Sequence, residues 1–206
     1  MSKMKLGKII SFEGLDKSGK HSAMDFVAEC LEKEGKSVYK MSFPQYHTEI
    51  GKLIRAYLTG QLQLTPLAFE ALQSADKLNA KESIEDLLKK VDFILIDRYI
   101  DSQIVYGMQT KEISWTEKIL EDMPYPDVVF YMDVSVENSM NRKGEHGDND
   151  KYESDATLLN KVHTNYETVL GDKYRMMLSD IIRIDANRLI SEIQNELKEK
   201  ARDLIK

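Results

Sequence analysis

One stretch constrains the chain more than any other. Lys8 to Phe12 has the apolar character of a short strand, Glu13 ends it, and Gly14 and Gly19 bracket four residues before Lys20. A helical pattern starts at once. Strand, glycine-rich turn and helix in succession is the layout of a phosphate-binding loop. The glycines let the backbone curl so that several N–H groups around Lys17 and Ser18 point inward at one centre. A phosphate there sits at a helix N-terminus, whose partial positive charge favours anions. Lys20 would reach the terminal phosphates as a mobile point charge. The regular motif continues with Ser or Thr, whose hydroxyl binds Mg²⁺. Here His21 fills that slot, and the hydroxyl comes one residue later, at Ser22. The bland alternative is a glycine turn between a strand and a helix with no ligand.

The rest of the chain alternates strand and helix signals. After the loop, Ala23, Phe26, Val27, Cys30 and Leu31 recur at helical spacing, with Gly35 as a stop. Ser37 to Met41 reads as a second strand. Thr48 caps a helix that Gly60 ends, and Thr65-Pro66 opens a long helix or helix pair running to about Val91. Leu67, Ala71, Leu72, Ala75 and Leu78 form its apolar stripe. Phe93 to Asp97 is a continuous apolar run, expected to be a strand buried on both faces. A helix over Ile100–Gln109 follows, and Ser114 to Glu117 fits a capping box opening another. Asp127 to Asp133 is a fourth strand and Ser135 starts a short helix. Arg142 to Glu153 is polar and has the composition of a mobile surface loop, a short lid at about 142–153. A helix through Leu158, Leu159, Val162, Tyr166, Val169 and Leu170, a fifth strand over Ile181–Asp185, and a helix from Leu189 to Leu204 complete the pattern. Five strands alternating with helices predict an α/β fold, a five-stranded parallel sheet with helices on both faces. The 206 residues suit one domain.

Bulk properties exclude several classes. The net charge is −6 with no long basic block, which argues against nucleic acid as a partner. No apolar run spans a membrane, and the basic residues before Gly7 lack the apolar core of a signal peptide. A single cysteine, Cys30, forbids an intrachain disulfide and makes a reduced, cytoplasmic setting the expectation. His21, His47, His146 and His163 lack the spacing of a zinc site.

Ligands of parallel sheets bind beyond the C-terminal strand ends, where Glu13, Asp97 and Asp133 stand. Asp97 can hold Mg²⁺ directly or through water, or simply cap the next helix. Arg98 can fork onto a phosphate or pair with a carboxylate. Asp16 sits oddly in an anion site, so it binds a sugar hydroxyl or pairs with Lys17. Arg142, Lys143 and Lys151 either close over phosphates or are solvated charges.

Five segments resemble the thymidylate (dTMP) kinase family of P-loop nucleoside monophosphate kinases, nearly end to end. They are Phe12-Glu13-Gly14-Leu15-Asp16-Lys17-Ser18-Gly19-Lys20, Phe43-Pro44 with Thr48-Glu49-Ile50-Gly51, Asp97-Arg98-Tyr99 with Ser102 and Tyr106, Pro124-Tyr125-Pro126-Asp127 leading to Met132-Asp133-Val134, and Ile184-Asp185-Ala186. The resemblance implies a three-layer P-loop kinase fold, ATP and Mg²⁺ as donor and cofactor, dTMP as acceptor, and a homodimer. It assigns catalysis to Lys17, Lys20, Asp97 and Arg98. ATP would meet Gly14, Lys17, Ser18, Gly19, Lys20, His21, Ser22, Arg142, Asn187 and Arg188, and the metal Asp97 and Ser22. The acceptor would meet Asp16, through its 3′-hydroxyl, and Phe43, Pro44, Leu58, Gln73, Lys77, Arg98, Ser102, Tyr106 and the lid acid Glu153.

Four positions depart from the family pattern. Tyr46 stands for an acceptor-phosphate arginine, Gln73 for a base-stacking phenylalanine, Lys77 for a base-reading arginine and Gly107 for a glutamine. Lys for Arg is not neutral where a planar fork is needed. The expected reaction is transfer of the γ-phosphoryl group of ATP to dTMP. Another pyrimidine deoxynucleotide as acceptor, or nucleotide binding without turnover, are the alternatives. In the Mg²⁺ slot, His21 is expected to turn away and leave its place to water, because a neutral imidazole suits this hard ion poorly.

Overall fold

A computed structural model describes residues 6–142, 156–171 and 179–206. The strands are β1 (Lys8–Glu13), β2 (Val38–Ser42), β3 (Phe93–Asp97), β4 (Val128–Asp133) and β5 (Asp180–Asp185). The helices are α1 (Lys20–Lys33), α2 (Glu49–Leu58), α3 (Pro66–Asn79), α4 (Lys81–Leu87), α5 (Ile100–Gly107), α6 (Ile113–Leu120), α7 (Val136–Asn141), α8 (Ala156–Leu170) and α9 (Ile190–Asp203). All strand pairs are parallel, in the order β2-β3-β1-β4-β5. Burial follows that order. The central strands β1, β3 and β4 are buried almost throughout, whereas the edge strands β2 and β5 keep several exposed residues. Continuous burial in a sheet requires cover on both faces, which the packed pair α1 and α9 and the group α5, α6 and α8 provide.

The order reverses at β1, with β2 and β3 on one side and β4 and β5 on the other. Phe12 pairs with Asp97, so the loop after β1 and the segment after β3 leave the sheet side by side. Such a crevice is where parallel sheets hold ligands. Phe12 and Phe130 stack at 5.1 Å beneath it and stiffen the floor. A second, smaller cluster of Ile54, Tyr57 and Phe69 joins α2 to α3, with the two rings stacked at 4.0 Å. Thr48 caps α2 by accepting from the Gly51 N–H at 3.0 Å, and Thr65 caps α3 the same way at 3.3 Å, with Pro66 in the first turn.

Of the long helix or helix pair expected to about Val91, the pair forms, α3 and α4, with its last helix ending at Leu87. The stripe Leu67, Ala71, Leu72, Ala75, Leu78 lies on one side of α3; Leu67 at 40% and Leu78 at 38% exposed turn outward, while Leu72 packs at the edge of the Ile54, Tyr57 and Phe69 cluster. The inward face carries Phe69, which joins the small cluster with Ile54 and Tyr57, and Glu70, Ser74, Asp76 and Lys77, because α3 borders a polar cavity instead of the main core. The capping box at Ser114 is not used. Helix α6 starts at Ile113 after Glu112, with no side-chain cap. The lid residues Lys143, Lys151 and Glu153, and His146, lie outside the described residues. Among the described residues, no helix is long and apolar enough to cross a membrane.

Candidate active site

The loop between β1 and α1 takes its shape from three left-handed residues, Gly14 at φ 138°, Lys17 at 59° and Gly19 at 89°. Gly14 is required twice over. A Cβ there would stand 2.5 Å from the Met132 carbonyl oxygen, so only glycine lets the loop pass β4. Gly19 is the N-cap of α1 and supplies no side-chain cap, and the first turn holds no acidic residue. The N–H groups there have no side-chain cap to satisfy them, and they favour an anion. Lys20 is buried and donates to the Leu15 carbonyl at 2.6 Å and the Ser18 hydroxyl at 3.4 Å. Burial and the neighbouring Arg98 push its ammonium down to about 8.

Asp97 ends β3 beside this loop. Its Oδ1 is buried and has no hydrogen-bond partner among the described residues. A carboxylate oxygen in that position is what a hard cation would complete, so the residues present fit a Mg²⁺ site. The other oxygen, Oδ2, lies 3.7 Å from His21 Nδ1, whose Nε2 is 3.6 Å from Asp25. His21 therefore leans toward Asp97 instead of turning away, because two carboxylates flank its ring. Ser22, one step on, is exposed.

Arg98 has a left-handed backbone, φ 63°, which costs a non-glycine residue on the order of 1 kcal/mol and persists only when neighbours impose it. Two bonds do so. The Arg98 N–H donates to the Phe12 carbonyl at 3.1 Å, and the next N–H, of Tyr99, donates to the Glu13 carboxylate at 2.8 Å. The guanidinium then pairs with Asp16 and lies 5.6 Å from the Tyr106 ring centroid, with Nη1 3.5 Å from its hydroxyl. Tyr106 donates to the other Asp16 oxygen at 3.3 Å. Asp16 thus pairs with Arg98. Burial would raise its carboxyl, but Arg98, Lys20 and Tyr106 outweigh that and hold it below its usual range. Burial likewise opposes the Arg98 charge, and Asp16 overcomes it.

Glu13 is the residue that sequence reasoning undervalued. It is fully buried, accepts from Tyr99 N–H and the Ser102 hydroxyl, and Ser102 also meets the Tyr166 hydroxyl at 2.9 Å. Burial, aided by the nearby Asp101, raises its carboxyl to about 7. Asp133, the third strand-ending acid, does not join this group. It pairs with Arg183 at 2.6 Å and His163 at 3.2 Å. His163 thus meets Asp133 and Glu167 despite its unpromising sequence spacing, but Arg183 already bridges both carboxylates.

A cavity of about 330 Å³ opens beside Arg98. It gathers the predicted Asp16, Phe43, Pro44, Leu58, Gln73, Lys77, Arg98, Ser102 and Tyr106 from five segments. Phe43 is placed by stacking on Tyr99 at 5.9 Å, and the Phe43-Pro44 peptide is cis. Tyr46 also lines the cavity, and the Arg55 guanidinium stands 4.6 Å over its ring. Among the lining residues outside the expected set are two buried polar ones, Glu70 and Gln103. A polar stripe at helical spacing, Glu70, Ser74 and Lys77, was available as a signal on α3.

On the donor side, Arg142 donates to the Lys17 carbonyl at 3.1 Å and the Ala186 carbonyl at 2.6 Å, tying the loop to the end of β5. Asn187 and Arg188 sit in that corner. Asn187 is held by Asp185 and Ser135, and Arg188 pairs with Glu196.

Comparison with known proteins agrees with this geometry. The thymidylate kinase family model matches residues 12–197. A thymidylate kinase of Dictyostelium discoideum is 31% identical over 196 residues, covering 94% of this chain and 84% of its own. One of Plasmodium falciparum is 31% identical over 195 residues, with 94% and 89% covered. The structure of a thymidylate kinase from Candida albicans superposes with a TM-score of 0.79 at 27% identity, covering 96% of this chain and 92% of that one. The fold is that of a P-loop kinase, and the chain belongs to the thymidylate kinase family.

Proposed function

We propose that this protein transfers the γ-phosphoryl group of ATP to dTMP, giving ADP and dTDP, and that the chain works as one kinase domain. The observation that carries the reading is the shared wall between the two halves. Asp16 and Lys20 leave one loop, and Asp16 is paired with Arg98, which lines the acceptor cavity. Donor phosphates on the loop and acceptor phosphate at Arg98 would therefore meet across a short gap. Phosphoryl transfer needs mostly positioning and charge neutralisation, and both follow from these residues. The loop N–H groups and Lys20 bind the donor phosphates, with Lys17 adding charge near the transferred group. Arg98 holds the acceptor phosphate. Asp16 accepts from the sugar 3′-hydroxyl, and the Tyr106 ring closes the space beside the sugar.

Mg²⁺, when bound, neutralises donor charge. Asp97 would hold it, with Ser22 as the hydroxyl on the α1 side. Arg142, Asn187 and Arg188 would border the ATP base and loop, and Glu153 would act from the lid. An ATP-consuming reaction and a lone cysteine support a cytoplasmic setting. The outward stripe of α3 supports a homodimer, since exposed leucines at helical spacing form a natural two-fold contact.

Lys20→Ala tests the donor half. Removing a preorganised cation from the phosphates costs on the order of 10²–10³ in kcat, and the fold should persist because Lys20 contacts loop oxygens, not the apolar core. Unimpaired turnover in that variant would contradict the assignment.

A further inference from the structure

The α3–α5 wall of the acceptor cavity holds two buried residues, Glu70 and Gln103, that none of the roles above uses. Glu70, Gln103 and Lys77 are 3%, 2% and 5% exposed, and all three line the cavity. They are linked in series. Gln103 Nε2 donates to Glu70 Oε1 at 2.7 Å, and Lys77 Nζ donates to Gln103 Oε1 at 2.8 Å. Both ends of the Gln103 amide are thereby committed, which fixes its orientation. Thr116 adds a longer bond, 3.5 Å, to the same Glu70 oxygen. The second carboxylate oxygen, Oε2, takes no hydrogen bond from the described residues. Burial raises the Glu70 carboxyl, while Gln103, Lys77 and Thr116 favour its charged form.

Gly107 belongs to this arrangement. A Cβ at that position would stand 2.5 Å from Glu70 Oε1 and 2.8 Å from the Thr116 hydroxyl. A glutamine, or any side chain, would displace the carboxylate. The departure at Gly107 and the acid at Glu70 are thus two halves of one feature.

We propose that Glu70 is a specificity-determining residue of this protein: it accepts a hydrogen bond from the ring N3–H of the acceptor's base, while Gln103 fixes its carboxylate and Lys77 beside it. Thymine carries a single hydrogen-bond donor, the N3–H, so a carboxylate that reads thymine must read that group. An oxygen that takes no protein hydrogen bond discriminates strongly once the base covers it from water, because a base lacking the donor leaves it desolvated and unmatched. A ring-stacking residue would be indifferent to N3. With Gln73 in place of a ring, discrimination moves from stacking to this wall. The inference rests on dTMP being an acceptor.

The test compares dTMP with its N3-methyl analogue, on the wild type and on Glu70→Gln, which keeps the shape and replaces an acceptor oxygen by a donor. The wild type should show a KM for the N3-methyl analogue at least tenfold above that for dTMP. Glu70→Gln should raise KM for dTMP at least tenfold, move KM for ATP less than threefold, and lose most of the discrimination between the two acceptors. Gly107→Ala, which displaces the carboxylate without removing it, should reduce the discrimination too, and it carries the test if Glu70→Gln does not fold. Discrimination equal to that of the wild type in the folded variant would overturn the proposal and leave Glu70 as packing for Gln103. A wild type that phosphorylates dTMP and its N3-methyl analogue alike would overturn it as well. A wild type that does not use dTMP at all would instead contradict the reading on which it rests, and would overturn both.

Discussion

Lys77 shows how a single residue's surroundings set its chemistry. Burial lowers its ammonium to about 8, against the pull of Asp76, Glu13 and Glu70. Below that value the group is charged and can donate to a base carbonyl; above it, the charge is lost. The kcat/KM for dTMP at saturating ATP should therefore fall as pH rises through about 8, since this parameter reports ionisations of the enzyme before the acceptor binds. Lys77→Arg should push that limb beyond the measurable range, because a guanidinium keeps its proton. A pH profile of both enzymes checks this, and an identical alkaline limb in the two would mean that another group titrates. Residue identity was legible in the sequence at this site, in the charged and polar types at 16, 77, 97 and 98. Pairing was not. Asp16 could meet Lys17 beside it or Arg98, and only the left-handed turn at Arg98 decides for the latter. Glu13 looked like the end of a strand, because nothing in one sequence says that Tyr99 and Ser102 will bond to it.

Helix α3 has an apolar stripe on one side and a polar cavity wall on the other. Its period of apolar residues predicted a helix, and a helix forms. The same period does not say which way the stripe faces. Leucines face inward when a core awaits them, but here a cavity and its polar wall occupy that side, so Leu67 and Leu78 stay outside. If that stripe is the contact of a homodimer, Leu67→Lys together with Leu78→Lys should weaken association at least about tenfold, a loss of about 1.4 kcal/mol or more. Sedimentation of the two proteins over a concentration series would reveal it, and a monomeric wild type, or a double variant that still pairs with equal affinity, would count against the contact. Strand placement was read to within a residue at β1, β2, β3, β4 and β5, since short apolar runs between turn signals leave little choice. Helix ends fared less well, as at α6, where a capping box matched by pattern is left unused.

Across the whole molecule, the sheet order determines what meets what. Reversal at β1 sets the phosphate-binding loop beside Asp97 and Arg98, and α3 and α5 carry the acceptor wall to the same edge. On the proposed function, this edge moves a phosphoryl group from ATP to dTMP. The most direct measurement is transfer of label from γ-³²P-ATP, with Mg²⁺, to a panel of nucleoside monophosphates, with the products separated and identified. Labelled dTDP is the expected product, formed with a higher kcat/KM from dTMP than labelled diphosphate from dUMP, dCMP or any purine monophosphate. Labelled inorganic phosphate alone, or a faster transfer to another acceptor, would contradict it.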